Sequence, residues 1–201
     1  TLDRSSAASD VYKRQDQINA GCYVFRREII ESIPAGVPVS VERDVFPHLL
    51  ETDCRMYGHV DSHYWRDMGT PQDFMQGSAD LVQGIAPSPA LEGHQGDYLV
   101  LPGADVAETA SLQQGTVVGQ GAVVGHNDVV TSSVLFDGAV LGDDVVIERS
   151  LIGNGAHIGN GCVVRDAVIG DDAIIGDRCE LLDGIRAVSY THLRAHETSL
   201  H

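Results

Sequence analysis

From Val118 to Leu181 an aliphatic residue returns in steps of six, six and five: Val118, Val124, Val130, Leu135, Leu141, Ile147, Ile152, Ile158, Val164, Ile169, Ile175 and Leu181. The first two stops of each cycle are followed by glycine (Gly119, Gly125, Gly142, Gly153, Gly159, Gly170 and Gly176), except where Phe136 stands, and the third stop never is. In a chain that is 43% hydrophobic, such regularity is a repeat and not composition. The unit is a 17-residue coil of two hexapeptides and one pentapeptide, present four times.

Hexapeptide periodicity predicts a parallel β-helix, a solenoid in which each coil gives one short strand to each of three sheets. The aliphatic stop points into the shaft. A small residue four places on (Ala122, Ala139, Ala156, Cys162, Ala173 or Cys179) fits beside it. Glycine is expected at the corners because it reaches positive φ without a Cβ penalty. Leu101 to Val117 has the length of a coil but irregular stops, Ala107 and Gln113, so it reads as a degenerate terminal coil.

Ahead of the solenoid the pattern changes. Ile18 to Phe25 alternates and reads as a strand, and Ile29, Ile30 and Ile33 mark a short helix stopped by Pro34. Ser40 reads as the cap of a helix running through Val45, Phe46, Leu49 and Leu50. Met56 to Val60 and His63 to Met68 read as two strands. Thr70-Pro71-Gln72-Asp73 is a strong helix start: a threonine cap, proline at the first helical position and an acid closing a capping box. That helix carries Phe74, Met75, Ala79, Leu81 and Val82 and ends at Gly84. Residues 85–97, rich in proline and glycine, read as a linker.

Both ends look foreign. Ser5 to Gln15 and Val188 to Thr198 resemble in-frame translations of matching sequencing adapters. The expected organisation is therefore 1–15 adapter-derived, 16–84 a mixed α/β part, 85–97 linker, 98–187 β-helix and 188–201 adapter-derived. Without those ends the chain has no lysine, and 9 basic residues face 26 acidic ones, a formal charge near −17. Such a surface repels phosphate backbones and anionic lipid, which argues against nucleic-acid and membrane partners. No apolar run approaches the roughly 18–20 residues of a membrane span. The four cysteines form no C-x-x-C pair, and Cys162 and Cys179, 17 apart, are expected to stack as interior fillers, which fits the cytoplasm.

Tyr64-Trp65-Arg66-Asp67-Met68-Gly69-Thr70-Pro71 is the most informative local motif. A carboxylate before a Gly-Thr-Pro turn into a helix stands where α/β sheets bind ligands. Asp67 there can hold Mg²⁺, which favours carboxylate oxygen and bridges to substrate phosphates. The alternative is a turn aspartate satisfied by backbone amides.

Asn19-Ala20-Gly21-Cys22-Tyr23-Val24-Phe25, Ser40-Val41-Glu42-Arg43-Asp44-Val45-Phe46-Pro47 and Trp65-Arg66-Asp67-Met68-Gly69-Thr70-Pro71-Gln72-Asp73-Phe74 occur in this order before a hexapeptide solenoid. Together they resemble the C-terminal half of the nucleotide-sugar pyrophosphorylases, the mannose-1-phosphate guanylyltransferase branch in particular. The resemblance implies a partial mixed α/β nucleotidyltransferase domain followed by a left-handed parallel β-helix, α/β plus β-solenoid in class. It implies that Asp67 holds the catalytic Mg²⁺, that Asn19 hydrogen-bonds sugar hydroxyls, and that Gly21 keeps the backbone close to the sugar. Glu42 and Arg43 match the family pattern without an assigned role, and Trp65 packs either beside the sugar or in the core.

The resemblance also implies a nucleoside triphosphate, GTP favoured, and a sugar 1-phosphate as substrates, with a homo-oligomer formed through the β-helix. The family's glycine-rich loop, first metal aspartate and E-K-P motif have no counterpart here. No catalytic residue is therefore assigned, and the 201-residue chain is expected to release no pyrophosphate. Two other readings stay open. Hexapeptide solenoids also form acyltransferases, for which His126 and His157 are base candidates, and the solenoid can serve purely in assembly or regulation.

Overall fold

A computed structural model of the protein describes residues 18–182, 184–188 and 192–193. Contacts divide the chain into two compact units between Trp65 and Arg66, ahead of the proline- and glycine-rich 85–97 stretch.

In the first unit, α1 (Arg27–Ser32) stops where Ile33, forced extended by the proline that follows it, leaves the helical region. Ser40 caps the next helical segment as its motif predicts: its Oγ accepts from the Arg43 N–H at 3.2 Å, and its own N–H donates to Asp44 at 2.8 Å. The segment opens as a wide π turn, Val41–Val45, and tightens into α2, Phe46–Glu51. The strands expected at 18–25, 56–60 and 63–68 do not form among the described residues. Their residues favour extended backbone, but a strand also needs a hydrogen-bonded neighbour, and none pairs with them.

The second unit begins with α3, Pro71–Val82, whose start follows its sequence signature. The Thr70 Oγ1 accepts from the Asp73 N–H at 3.1 Å and donates back to the Asp73 carboxylate at 2.6 Å. Gly84, at φ 74°, turns the chain after it. The stretch that follows is pinned and not loose. The N–H groups of Ile85 and Ala86 donate to the Asp80 carbonyl, that of Gly96 donates to Val82, and Ala86 is buried.

The solenoid is a three-sided parallel β-helix. One sheet stacks the inward residues Val118, Leu135, Ile152, Ile169 and Ala187, with Val100 in register beside Val118 but exposed. A second stacks Val106, Val124, Leu141, Ile158, Ile175 and Leu193. The third stacks Leu112, Val130, Ile147, Val164 and Leu181. Every predicted stop from Val118 to Leu181 lies on these rows and is buried. Cys162 and Cys179 are buried free thiols on adjacent coils, with the Cys179 N–H 3.4 Å from the Cys162 sulfur.

The structure corrects two expectations here. The first coil is atypical, as expected of a terminal coil, with Val100 exposed and Val106 only partly buried, but its register differs from the expected one. Its stops are Val100, Val106 and Leu112, one residue earlier than the 17-residue rule places them, because the coil has 18 residues. The extra residue falls at the corner where Gln114 and Gly115 both take positive φ. The last coil is likewise 18 long, with Ala187 opposite Ile169, and Leu193 extends the second sheet inside the stretch that resembles an adapter. An aliphatic residue at the right spacing can join such a ladder whatever its origin, because the ladder is backbone hydrogen bonding.

The second correction concerns glycine. The glycines after the stops do not take positive φ; that conformation belongs to the residue two places further on, such as Gly121, Asn127 or Asp144. The post-stop glycines are required by close approach. A Cβ on Gly125 would stand 1.9 Å from the Gly142 carbonyl oxygen, and one on Gly153 would stand 2.6 Å from the backbone of the next coil.

The corners also give some of the solenoid's aspartates a structural use. The side-chain oxygen of Asp137 accepts from the Gln120 N–H, Asp143 from His126, Asn160 from Asp143, Asp171 from Asn154 and Asp177 from Asn160, each at 2.8 Å and 17 residues apart. These side chains satisfy corner amides that no strand ladder reaches.

Candidate functional site

Asn19 and Gly21 belong to the first unit and Asp67 to the second. Each is described within its own unit.

Asn19 folds into a local turn, its Oδ1 accepting from the Gly21 N–H at 3.0 Å while Gly21 takes φ 72°. The side-chain amide then faces across to Glu42. Asn19 Nδ2 donates to Glu42 Oε1 at 2.8 Å and to the Tyr23 hydroxyl at 2.6 Å, and that hydroxyl donates to the same Glu42 oxygen at 2.8 Å. Ring packing holds the two segments together: Tyr23 meets Phe46 edge-on with centroids 5.2 Å apart, and Phe25 lies 6.1 Å from both. The hydrogen bond to Glu42, with the nearby negative charge, raises the pKa of the Tyr23 hydroxyl above its ordinary value. Arg43, by contrast, points to solvent and makes no ion pair among the described residues.

Asp67 is exposed at the turn into α3. Among the described residues its carboxylate receives no hydrogen bond, so backbone amides do not hold it. Its neighbour Arg66 reaches back to Asp80 on α3 at 3.1 Å, and Gln76 donates to the other oxygen of Asp80 at 2.8 Å. Asp80 is buried, so the Arg66 charge is drawn toward the helix and away from Asp67. Met68 crosses α3 at Gly77, where a Cβ would stand 2.2 Å from the methionine methyl. Asp67 is thus a hard oxygen donor with no competing partner, which suits one ligand of a divalent cation. Among the described residues no three metal-binding side chains cluster, so the carboxylate of Asp67 stands without a second and third candidate ligand beside it. Trp65 is about half exposed and is not a core residue.

His126, on a corner, has its Nδ1 3.4 Å from the Thr109 hydroxyl, and His157 lies outward on a strand of another coil. Both are exposed and they share no partner. No helix among the described residues is long and apolar enough to cross a membrane.

Sequence motif alone missed the roles of Glu42 and Tyr23. The contact with Asn19 spans 23 residues, and nothing in the local pattern announces it.

Comparisons with known proteins extend these observations. The nucleotidyl transferase family model matches residues 6–84, and that of the EIF2B subunit epsilon LbH domain matches residues 98–190. A mannose-1-phosphate guanylyltransferase of Mycobacterium tuberculosis is 62% identical over 123 residues, 61% of this chain and 34% of that protein. The mannose-1-phosphate guanylyltransferase catalytic subunit beta of Drosophila pseudoobscura pseudoobscura is 34% identical over 98 residues, 46% of this chain and 26% of that protein. The chain therefore spans about a third or less of the length of these relatives. Among solved structures, the acetyltransferase domain of PglB from Neisseria gonorrhoeae aligns with 56% of this chain and 64% of its own at 24% identity. Its TM-score is 0.41, too low to decide anything. The α/β segment thus resembles the nucleotidyl transferases and the solenoid the LbH domain of EIF2B subunit epsilon, and over 123 residues the chain is similar to part of a mannose-1-phosphate guanylyltransferase.

Proposed function

We propose that this chain is part of a sugar-1-phosphate nucleotidyltransferase, one that makes GDP-mannose and pyrophosphate from GTP and mannose 1-phosphate. The observation that carries the reading is the 62% identity to the Mycobacterium tuberculosis guanylyltransferase over 123 residues. Identity at that level over 61% of the chain supports a shared reaction class and makes the guanylyltransferase the favoured reading.

In this reading Asn19 and Gly21 belong to the sugar subsite. Gly21 lacks a side chain, and nothing lies within 4 Å of where its Cβ would be, so a sugar can approach the backbone there. Asn19 is held by Gly21 and Glu42 before any ligand arrives, which lowers the entropy cost of binding. Asp67 contributes one carboxylate oxygen to Mg²⁺. The ion, when bound, offsets charge on the α-phosphate and the leaving pyrophosphate. The β-helix serves assembly, as a homo-oligomer, and the protein works in the cytoplasm.

The test is a chimaera. The matching 123 residues of the Mycobacterium tuberculosis protein are replaced by those of this chain, and pyrophosphate release is measured with each nucleoside triphosphate and sugar 1-phosphate. GTP with mannose 1-phosphate should turn over fastest. A folded chimaera that is inactive, or that prefers another pair, rules the reading out.

A further inference from the structure

The triangle of Asn19, Tyr23 and Glu42 has a hydrogen-bond inventory that assigns work to Glu42. A primary amide has two N–H donors, and a hydroxyl has one. Asn19 spends both donors, on Glu42 Oε1 and on the Tyr23 hydroxyl, and Tyr23 spends its own on Glu42 Oε1. One lone pair of Asn19 Oδ1 is taken by the Gly21 N–H. What remains open is acceptor capacity only: the second lone pair of Asn19 Oδ1 and the whole of Glu42 Oε2. Both side chains are exposed, so these acceptors face solvent.

The position of Glu42 follows from its surroundings. Ser40 fixes the start of the wide turn, Val45 buries its end, and Phe46 packs edge-on against Tyr23. The carboxylate is thereby held against Asn19 from 23 residues away.

We infer that Glu42 is a positioning residue of the sugar subsite, fixing the Asn19 amide and presenting its second carboxylate oxygen as an acceptor for a sugar hydroxyl. The inference rests on the nucleotidyltransferase reading and adds a residue to it. Ligands that donate hydrogen bonds through hydroxyls fit this face. A bare phosphate, dominated by acceptor oxygens and negative charge, is repelled by a carboxylate and fits poorly beside it.

The experiment uses the full 201-residue chain, labelled for NMR, with Glu42→Gln, Glu42→Ala and Tyr23→Phe variants, the last to assign the tyrosine signal. Two readouts are followed: the ionisation of Tyr23, and the side-chain amide of Asn19 during titration with mannose 1-phosphate, free mannose and inorganic phosphate. Glu42→Gln should lower the Tyr23 titration toward that of an ordinary tyrosine while keeping the Asn19 amide in place, since Gln Oε1 still accepts. Mannose 1-phosphate and mannose, but not phosphate, should shift Asn19 saturably. Binding should weaken about tenfold in Glu42→Ala, the worth of one hydrogen bond to a charged group, and be partly restored in Glu42→Gln.

A Tyr23 titration indifferent to Glu42, or equal affinity in wild type and Glu42→Ala, overturns the positioning role and leaves the sugar subsite standing. A wild-type Asn19 that responds to phosphate alone, or to none of the three probes, overturns the sugar reading and this inference with it.

Discussion

The Arg66 guanidinium reaches 14 residues along the chain to the carboxylate of Asp80, with Nε at 3.2 Å and Nη2 at 3.1 Å. Asp80 is buried in α3 and also receives the Gln76 amide, so the pair fastens the Asp67 turn to the helix that follows it. Breaking such a pair from one side costs more than the pair is worth, because the remaining group loses its partner. Asp80→Ala should therefore lower stability by about 2–3 kcal/mol, discounted because Arg66 is partly exposed and can reach water. Urea unfolding measures it, and Asp80→Asn, which keeps an oxygen acceptor, should cost less.

The two kinds of glycine in the coils should respond differently to alanine. Gly125→Ala places a methyl 1.9 Å from a backbone oxygen of the next coil, which cannot move without opening the stack. A loss of about 3 kcal/mol is expected. Gly121→Ala meets no atom within 4 Å and suffers only from φ 67°, so about 1 kcal/mol is expected. Thermal melts of the two variants should separate by several degrees, and equal melting would refute the close-approach explanation.

Asp128 stands fully buried at a corner, its two oxygens accepting from the N–H groups of Gly125 and Val145 at 2.7 Å each. Burial pushes its carboxyl up to about 6, with the charges of Asp143 and Asp144 adding to the effect. A carboxyl whose pKa is higher in the folded than in the unfolded state makes the native state bind the extra proton. Its contribution is greatest below pH 4 and is lost as pH rises through 6, about 3 kcal/mol in all. Asp128→Ala should remove this slope between pH 4 and 6 whatever its effect on overall stability. An unchanged slope in denaturant titrations would exclude Asp128 as its source.

Cys162 and Cys179 are buried in the shaft, and burial raises the Cys162 thiol further from reactivity, whereas Cys22 and Cys54 are exposed. A thiol reagent should modify Cys22 and Cys54 in the native protein within minutes and the other two only on unfolding. Modification of all four at one rate would contradict the stacked arrangement.

The sequence by itself determined the solenoid, because its core is a one-dimensional stack in which each coil repeats the same burial and writes the same spacing into the chain. It also determined the start of α3, since a cap is a contact among residues three apart. It offered Asn19, Gly21 and Asp67 as candidates, through the family resemblance of the motifs that hold them. Tertiary structure decided what depends on partners distant in sequence. The segments at 18–25, 56–60 and 63–68 carry strand-forming residues but find no hydrogen-bonded neighbour, so their local preference alone makes no sheet. The first coil was misregistered because a single extra residue at Gln114–Gly115 shifts every stop by one, and only pairing with the next coil reveals it. The glycines after the stops are explained by the backbone of the following coil, not by their own φ. Glu42 entered the candidate site for the same reason: a carboxylate 23 residues from Asn19 gains its role only when folding brings both to one hydrogen bond.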